Sequence, residues 1–164
     1  MIEIPLRYTG QLFAMPMPFS GFDPAGAGFS ACQKKSVRVI VMLIDDDEAT
    51  AKTRFDLRSF YLSQDIEVIY FPITDFGVPD LVEMHRAGTS LLKALQQGKN
   101  AAVHCHAGIG RTGLFCAYLG WRVLALRPQE AITWIRQFIP HAIESNVQRD
   151  LLLGLEQDFD LLPQ

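Results

Sequence analysis

Apolar residues cluster in short runs along the chain, and these runs predict the strands of a sheet. Residues 37–44 (VRVIVMLI) are apolar almost without interruption and largely β-branched, as expected of a strand covered on both faces. Shorter apolar runs predict strands at about 67–71 and 101–104. The first 35 residues are rich in Gly, Pro, Phe and Ser, which predicts one or two strands followed by an ordered loop.

Helical patterns fill the intervals between and after these strands. The segment after residue 44 opens with a run of acidic residues, which suits a helix N-terminus. Prolines, glycines and apolar spacing delimit the later helices, and the one that follows residue 110 is apolar enough to be buried. These later helices are predicted over about 79–97, 111–126, 128–140 and 143–160.

The order of these elements predicts the fold class. Strands that alternate with helices, followed by a run of helices, indicate an α/β fold. Its central, mostly parallel sheet is flanked by helices and followed by a C-terminal helical cluster. A chain of 164 residues has the usual size of one domain. We therefore expect a single domain over 1–164, with an N-terminal strand and loop region at 1–35 and a core at 36–164.

Composition narrows the classes of function. The chain is 49% hydrophobic and 20% charged with a formal net charge of −3, so it has no general attraction to nucleic acids or acidic membranes. No apolar run has the length of a transmembrane helix, and the N-terminus does not resemble a secretory signal. Three cysteines are too few for a disulfide framework and suit a reducing compartment. We expect a cytoplasmic monomer that binds neither nucleic acid nor membrane.

The segment HCHAGIGRTG at 104–113 lies between a predicted strand and a predicted helix. Its glycines, Gly108 and Gly110, let the backbone adopt positive φ and turn its amide groups inward. Such a nest of N–H groups at a helix N-terminus binds anions, and Arg111 adds two charge-assisted hydrogen bonds to a phosphate. The same positive surroundings favour the thiolate form of Cys105, which makes it nucleophilic.

Each part of this segment has an ordinary explanation when taken alone. Their conjunction with Thr112, whose hydroxyl can donate a hydrogen bond to the sulfur, favours a catalytic loop. The letters GIGRTG also have the Gly-x-Gly-x-x-Gly spacing of a dinucleotide-binding loop. That loop requires an acid at the end of a strand about 20 residues later, where this chain is predicted to be helical. A nicotinamide enzyme is therefore the weaker hypothesis.

The segment resembles the His-Cys-x5-Arg-Ser/Thr signature of the protein-tyrosine and dual-specificity phosphatases, and the similarity extends from about residue 36 to residue 155. The resemblance implies the fold of that family, a phosphocysteine intermediate at Cys105, and a reaction that uses no metal and no other cofactor. It also implies that His104 helps to set the acidity of the thiol. In this family the phosphate is held by backbone amides, here those of His106, Ala107, Gly108, Ile109, Gly110 and Arg111.

Cleavage of a phosphate ester needs a proton for the leaving oxygen and then a base that activates water. Family members carry an aspartate for this purpose about 30 residues before the cysteine, and Asp75 lies 30 residues before Cys105. The stretch FPITDFGVP resembles the Phe-Pro-Ile-x-Asp…Pro stretch of dual-specificity members, with Gly77 as a pivot for loop movement. Asp80 is the rival acid, although a role at the start of a helix explains it more simply.

Other residues in the chain are weaker candidates. IESNVQRDLL resembles the family segment in which a glutamine positions the hydrolytic water, which makes Gln148 a candidate; a helix-surface glutamine is the ordinary alternative. The letters HCH do not indicate a metal site, because three adjacent residues do not easily point at one ion. Cys116 is predicted in the core, and Cys32 could pair reversibly with oxidised Cys105, although no sequence feature favours this.

The function that the sequence favours is a compact, dual-specificity-like protein phosphatase acting on phosphotyrosine, and it leaves open whether phosphoserine and phosphothreonine are also substrates. His106 and Ile109 occupy loop positions where phosphoinositide phosphatases of the superfamily tend to have lysines. A phosphoinositide phosphatase, an RNA 5′-phosphatase and a non-catalytic phosphoprotein-binding module stay open as alternatives. The loop PMPFSGFDPAGAGF is expected to pack on the surface rather than form a wall of the cleft.

Overall fold

Five short strands form one sheet in the computed structural model, which describes residues 1–155. In chain order the strands are β1 (Ile2–Ile4), β2 (Leu12–Met15), β3 (Val37–Met42), β4 (Glu67–Tyr70) and β5 (Asn100–His104). They lie side by side in the order β1-β2-β5-β3-β4, and every neighbouring pair is parallel except β1 with β2. The predicted central, mostly parallel sheet is confirmed.

Seven helices within residues 1–155 flank the sheet. They are α1 (Ala27–Lys34), α2 (Asp46–Thr53), α3 (Leu57–Ser63), α4 (Leu81–Gln96), α5 (Gly110–Leu124), α6 (Pro128–Ile135) and α7 (Asn146–Gly154). The helices predicted to begin near 79 and 111 are confirmed as α4 and α5. The helices predicted over 128–140 and 143–160 correspond to the shorter α6 and α7, and positions 156–160 of that prediction lie outside the described residues.

The carboxyl ends of three parallel strands lie level with one another. Met42 at the end of β3 pairs with His104 at the end of β5 and with Tyr70 at the end of β4. β5 is the middle strand of the sheet. Open α/β sheets bind ligands just outside the carboxyl ends of their strands, so the segments that follow these three strands are where a site is expected.

Helices cover both faces of the sheet because the crossover connections are right-handed. The chain passes outward from β3 to β4 through α2 and α3, and it returns to β5 through α4. On the side of α3, Phe29 of α1 packs against Phe60 and Tyr61 of α3. On the side of α4, Gly88 lies against Tyr118 of α5. The sheet is therefore enclosed, as its apolar strands require.

α5 is the buried helix that the sequence predicts, and its first twelve residues are all buried. Small residues let it pack closely against the C-terminal helices: Gly120 lies against Trp134 of α6, and Gly113 lies against Ala142 in the α6–α7 loop. This packing confirms the predicted C-terminal helical cluster. Within residues 1–155, no helix is long and apolar enough to cross a membrane.

The N-terminal region contains a helix that the sequence did not predict. α1 occupies a stretch whose Gly and Pro content indicates a loop. The Asp23 carboxylate accepts hydrogen bonds from the amides of Ala27 and Gly28 at 2.8 and 2.7 Å, and this anion at the helix start compensates for weak helix formers. Asp23 lies only four residues before Ala27, so an acid just before the helix was the available signal, and the periodicity of apolar residues does not reveal it.

Candidate active site

The connection from β5 to α5, residues 105–111, is called the phosphate loop below. Cys105 lies in it with 3% of its surface exposed, and its sulfur accepts a hydrogen bond from the amide of Gly108 at 3.3 Å. Gly108 has φ of +78°, and a Cβ at that position would lie 2.6 Å from the carbonyl oxygen of Met15. Glycine is therefore required at 108 both by conformation and by space.

Neighbouring strands hold the phosphate loop through backbone hydrogen bonds. The amide of Met17, just after β2, donates to the carbonyl of His106 at 2.9 Å, and the amide of Leu43, just after β3, donates to the carbonyl of His104 at 3.0 Å. Gly110 differs from the expectation: it is the first residue of α5 and is not among the positive-φ glycines of residues 1–155. There a Cβ would meet the end of the Glu144 side chain, which is exposed and can move aside.

Arg111, at the start of α5, has 2% of its side chain exposed and is surrounded by acceptors. Its Nη1 and Nη2 donate to the two carboxylate oxygens of Glu48 at 2.6 and 2.8 Å, and Nη1 also donates to the carbonyl of Ile73 at 3.1 Å. Burial alone lowers the pKa of Arg111, but the hydrogen bond to Glu48 and the charges of Cys105 and Asp75 raise it overall. The guanidinium is thus held charged and in a fixed plane beside the thiol.

Asp75 lies on the connection from β4 to α4, where residues 74–79 are called the acid loop below. Its Oδ1 lies 3.2 Å from Nη2 of Arg111, with 59% of the Asp75 side chain exposed. Asp80 instead caps α4, because its Oδ1 accepts a hydrogen bond from the amide of Glu83 at 3.0 Å. Of the two acids that the sequence offered, the structure brings Asp75 to the phosphate loop.

His104, the last residue of β5, supports the loop from below and is fully buried. Its Nδ1 lies 2.9 Å from the carbonyl of Cys105, and its Nε2 lies 3.1 Å from the hydroxyl of Tyr61. A carbonyl only accepts, so Nδ1 carries the proton, and a neutral ring then accepts from Tyr61 at Nε2. Burial lowers the pKa of His104 to about 4, in agreement with the neutral ring.

Thr112 and Gln148 are both buried near the site. The Thr112 hydroxyl has no hydrogen-bond partner within residues 1–155, and the Cys105 sulfur accepts from Gly108. Gln148 connects two loops: its Nε2 donates to the carbonyl of Gly77 at 3.1 Å, and its Oε1 accepts from the amide of Glu144 at 3.2 Å. It is therefore not the exposed helix residue that was the ordinary alternative.

A cavity of about 170 Å³ opens above the thiol. This volume is below the ~300–1,000 Å³ of typical small-molecule sites, so it suits a phosphate group with the rest of the substrate outside. Arg111 is the single arginine or lysine among the residues that line this cavity. His106 also lines it and is partly buried, and its pKa is lowered mainly by burial and then by the charge of Lys52. The lining residues are Phe22, Asp75, Phe76, Cys105, His106, Ala107, Arg111 and Glu144.

Several side chains of this site are absent from the sequence prediction, among them Phe76 of the acid loop. Glu48 is the last acid of the run that follows β3, and its position beyond a strand neighbouring β5 was an available signal. Phe22 belongs to the N-terminal loop, and its ring lies 4.8 Å from that of His106, so this loop forms part of the cavity wall, contrary to the expectation. Glu144 reaches the cavity from the α6–α7 loop, and no local pattern marks it.

The other two cysteines lie in environments unlike that of Cys105. Cys32 and Cys116 are free and fully buried. Burial raises the pKa of Cys32 to about 12, and burial together with the charge of Cys105 raises the pKa of Cys116. The Cys32 sulfur contacts the Met15 sulfur at 3.5 Å. Both thiols are therefore held in the unreactive, protonated form.

Comparison with protein families decides the relationship of this chain. The family model described as "Polymorphic toxin system, DSP-PTPase phosphatase" matches residues 16–123, about two thirds of the chain. The chain belongs to this family. The match contains β3 to β5, the acid loop, the phosphate loop and most of α5. The chain therefore lies in the dual-specificity and protein-tyrosine phosphatase superfamily.

Individual proteins agree with this assignment. A protein tyrosine phosphatase domain-containing protein of Mus musculus is 36% identical over 74 residues, which cover 45% of this chain and 10% of that protein. A kinase-associated phosphatase whose catalytic-site cysteine is replaced by serine superposes with a TM-score of 0.85 at 19% identity, over 97% of this chain and 94% of the other. PTPMT1 in complex with PI(5)P gives a TM-score of 0.74 at 20% identity, over 98% of both chains. The dual-specificity-like fold is thus confirmed.

Proposed function

We propose that this phosphatase hydrolyses phosphotyrosine in proteins, and phosphoserine or phosphothreonine more slowly, through a phosphocysteine intermediate. The observation that carries the proposal is the meeting of Cys105, Arg111 and Asp75 at one small cavity. A nucleophile, a phosphate clamp and a proton donor are the groups that such a reaction requires.

The first chemical step forms a sulfur–phosphorus bond. The Cys105 thiolate attacks phosphorus, the bond to the ester oxygen breaks, and Asp75 gives its proton to that oxygen. The charge on the phosphoryl oxygens is stabilised by Arg111 and by the amides of residues 106–111. The amide of Gly108, which donates to the sulfur in the free protein, supports this role for the loop.

The second step restores the enzyme. The Asp75 carboxylate takes a proton from water, the water oxygen attacks phosphorus, and the sulfur leaves as thiolate while inorganic phosphate is released. We assign Thr112 to donate a hydrogen bond to the leaving sulfur, a role supported by its buried and unpartnered hydroxyl. Gln148 is our candidate for orienting the water, supported by its hydrogen bond to the amide of the cavity-lining Glu144.

The preference for an aryl phosphate is supported by the mouth of the cavity. Phe22 and Phe76 line it with 58% and 57% of their surfaces exposed, and exposed aromatic rings gain free energy when they cover a substrate ring. Glu144 lines the same mouth, and a carboxylate there opposes a polyphosphorylated headgroup. These features favour a singly phosphorylated protein side chain over a phosphoinositide.

The proposed function also includes the extent of the domain, the cellular compartment, the oligomeric state and the partner. We propose that residues 1–164 act as one phosphatase domain, in the cytoplasm and as a monomer, on a phosphorylated protein. The three free cysteines support a reducing compartment.

A panel of substrates tests the proposal. The purified protein is assayed with phosphotyrosine, phosphoserine and phosphothreonine peptides, phosphoinositides and RNA 5′-phosphates. We expect the highest kcat/KM for phosphotyrosine, and Cys105→Ser should lose at least about 10⁴-fold in kcat while it still binds the peptide. A higher kcat/KM for phosphoinositide or RNA would replace the substrate class. Absence of turnover with every substrate would favour a binding module.

A further inference from the structure

The acid loop makes few contacts of its own. Its inner hydrogen bonds are a turn from the amide of Gly77 to the carbonyl of Thr74 at 2.9 Å, and one from the amide of Phe76 to Oδ1 of Asp75 at 3.2 Å. Asp75 and Phe76 are exposed, and Phe76 has φ of 56°. An exposed segment with so little internal support takes its position from whatever holds it at the ends and from outside.

Two side chains of the α7 N-terminus hold this loop from outside. The Ser145 hydroxyl donates to the carbonyl of Phe76 at 2.7 Å, and Nε2 of Gln148 donates to the carbonyl of Gly77 at 3.1 Å. The Ser145 oxygen also accepts from the amide of Gln148 at 3.2 Å, which caps α7. One hydroxyl thus joins the start of a helix to a loop 69 residues earlier in the chain.

The acid loop is also attached to Arg111, the side chain proposed to bind phosphate. Nη1 of Arg111 donates to Glu48 and Ile73, and Nη2 donates to Glu48 and lies 3.2 Å from Asp75. Each of these nitrogens has two hydrogens. A phosphate that binds Nη2 therefore competes with Glu48 and Asp75 for the hydrogens of that nitrogen, and substrate binding weakens the contact between Arg111 and Asp75. The hydrogen bonds to Phe76 and Gly77 are neutral and do not compete with phosphate.

We propose that Ser145 is a positioning residue: together with Gln148 it holds the acid loop over Cys105 after substrate has weakened the contact between Arg111 and Asp75. This inference rests on the proposed role of Asp75 as proton donor. Ser145 touches no reacting atom, so its effect reaches the reaction only through the position of the Asp75 carboxyl group.

The proposal predicts a dependence on the leaving group. Phenyl phosphate needs a proton on its departing oxygen more than 4-nitrophenyl phosphate does. Ser145→Asp keeps an acceptor that caps α7 well, but an ionised carboxylate cannot donate to Phe76. We expect Ser145→Asp to lose about tenfold in kcat with phenyl phosphate, the effect of one net hydrogen bond, and much less with 4-nitrophenyl phosphate.

Matched variants separate positioning from stability and charge. Ser145→Ala removes both hydrogen bonds and should show the same leaving-group dependence with a lower melting temperature. Ser145→Thr keeps donor and acceptor and should restore most of the phenyl phosphate rate. Asn146→Asp adds a charge at the neighbouring exposed position and should behave like the wild type.

A double variant makes the result decisive. If Ser145 acts through Asp75, Ser145→Asp should cost nothing further in an Asp75→Asn background. Equal losses with both leaving groups, or fully additive losses in the double variant, would overturn the positioning role alone. An Asp75→Asn variant without leaving-group dependence would overturn the assignment of the acid, and the positioning role with it.

Discussion

The phosphate loop and the acid loop meet at Arg111 but are held in place by different means. The phosphate loop is at least half-buried; a backbone hydrogen bond from Met17 holds its His106, and one from Leu43 holds His104 directly before it. The acid loop is largely exposed, and side chains of Arg111, Ser145 and Gln148 hold it. The proposed phosphate capture is therefore built into the sheet, whereas the proposed proton donation depends on contacts that one substitution can remove.

The difference has a physical reason. Backbone amides arranged around an anion need no reorganisation when charge develops in the reaction, so a rigid loop suits them. A proton donor that later becomes the base for water benefits from adjustment between the two steps. Three predictions test this difference between the two loops, from the largest expected effect to the smallest.

Replacement of Arg111 in the phosphate loop should cause the largest loss of activity among these changes. Arg111→Lys keeps the charge but loses the planar fork that contacts Glu48, Ile73 and phosphate. We expect kcat/KM with 4-nitrophenyl phosphate to fall about 10³-fold, the upper range for loss of a transition-state donor. Arg38→Lys, at an exposed position of β3, should have no effect. A loss below tenfold would show that the backbone amides capture phosphate without help.

Removal of the Asp75 carboxyl group should reduce activity less than replacement of Arg111, and only with substrates whose leaving oxygen needs a proton. Asp75→Asn cannot give a proton, so kcat with phenyl phosphate should fall about 10²-fold, and the decline of activity at alkaline pH should disappear from the pH–rate profile. Asp80→Asn is the matched control, because asparagine also caps a helix. Comparable losses in both variants would contradict a specific role for Asp75.

A lower pH should reduce the stability of the fold through His104, the buried residue directly before the phosphate loop. The pKa of His104 is lowered to about 4 by burial, against about 6.5 in an unfolded chain. Between these values the unfolded state binds a proton that the folded state does not, so stability falls as the pH falls. From pH 7 to pH 5 the free energy of unfolding in urea should decrease by about 2 kcal/mol through His104.

His104→Gln should flatten this dependence, whereas His141→Asn, at an exposed position with φ of 64° that asparagine tolerates, should keep it. His106 contributes in the same direction, because its pKa is also lowered, mainly by burial. A slope unchanged in His104→Gln would mean that other groups cause it and that the ring of His104 is not held neutral by the fold.

Much of the fold followed from local sequence signals. The apolar run of β3, the buried α5 and the proline that starts α6 are visible in the sequence, because each depends on residues close together in the chain. α1 was missed because the Gly and Pro content of its stretch indicates a loop, although the acid that supports it, Asp23, lies only four residues before Ala27. α6 ends at Ile135 rather than near 140, and α7 begins at Asn146 rather than 143 because the Ser145 side chain caps it there.

The sequence by itself determined the phosphate loop. A thiol, two glycines and an arginine lie within seven residues between a strand and a helix, so their arrangement follows from local structure. Only the tertiary structure decided which acids surround that arginine. Glu48 lies 63 residues from Arg111, and Ser145 lies 69 residues from Phe76. Glu48 and Arg111 meet because parallel strands bring their carboxyl ends, and the segments that follow them, to one edge of the sheet. Ser145 lies between α6 and α7 and reaches Phe76 because the C-terminal helices pack at that edge.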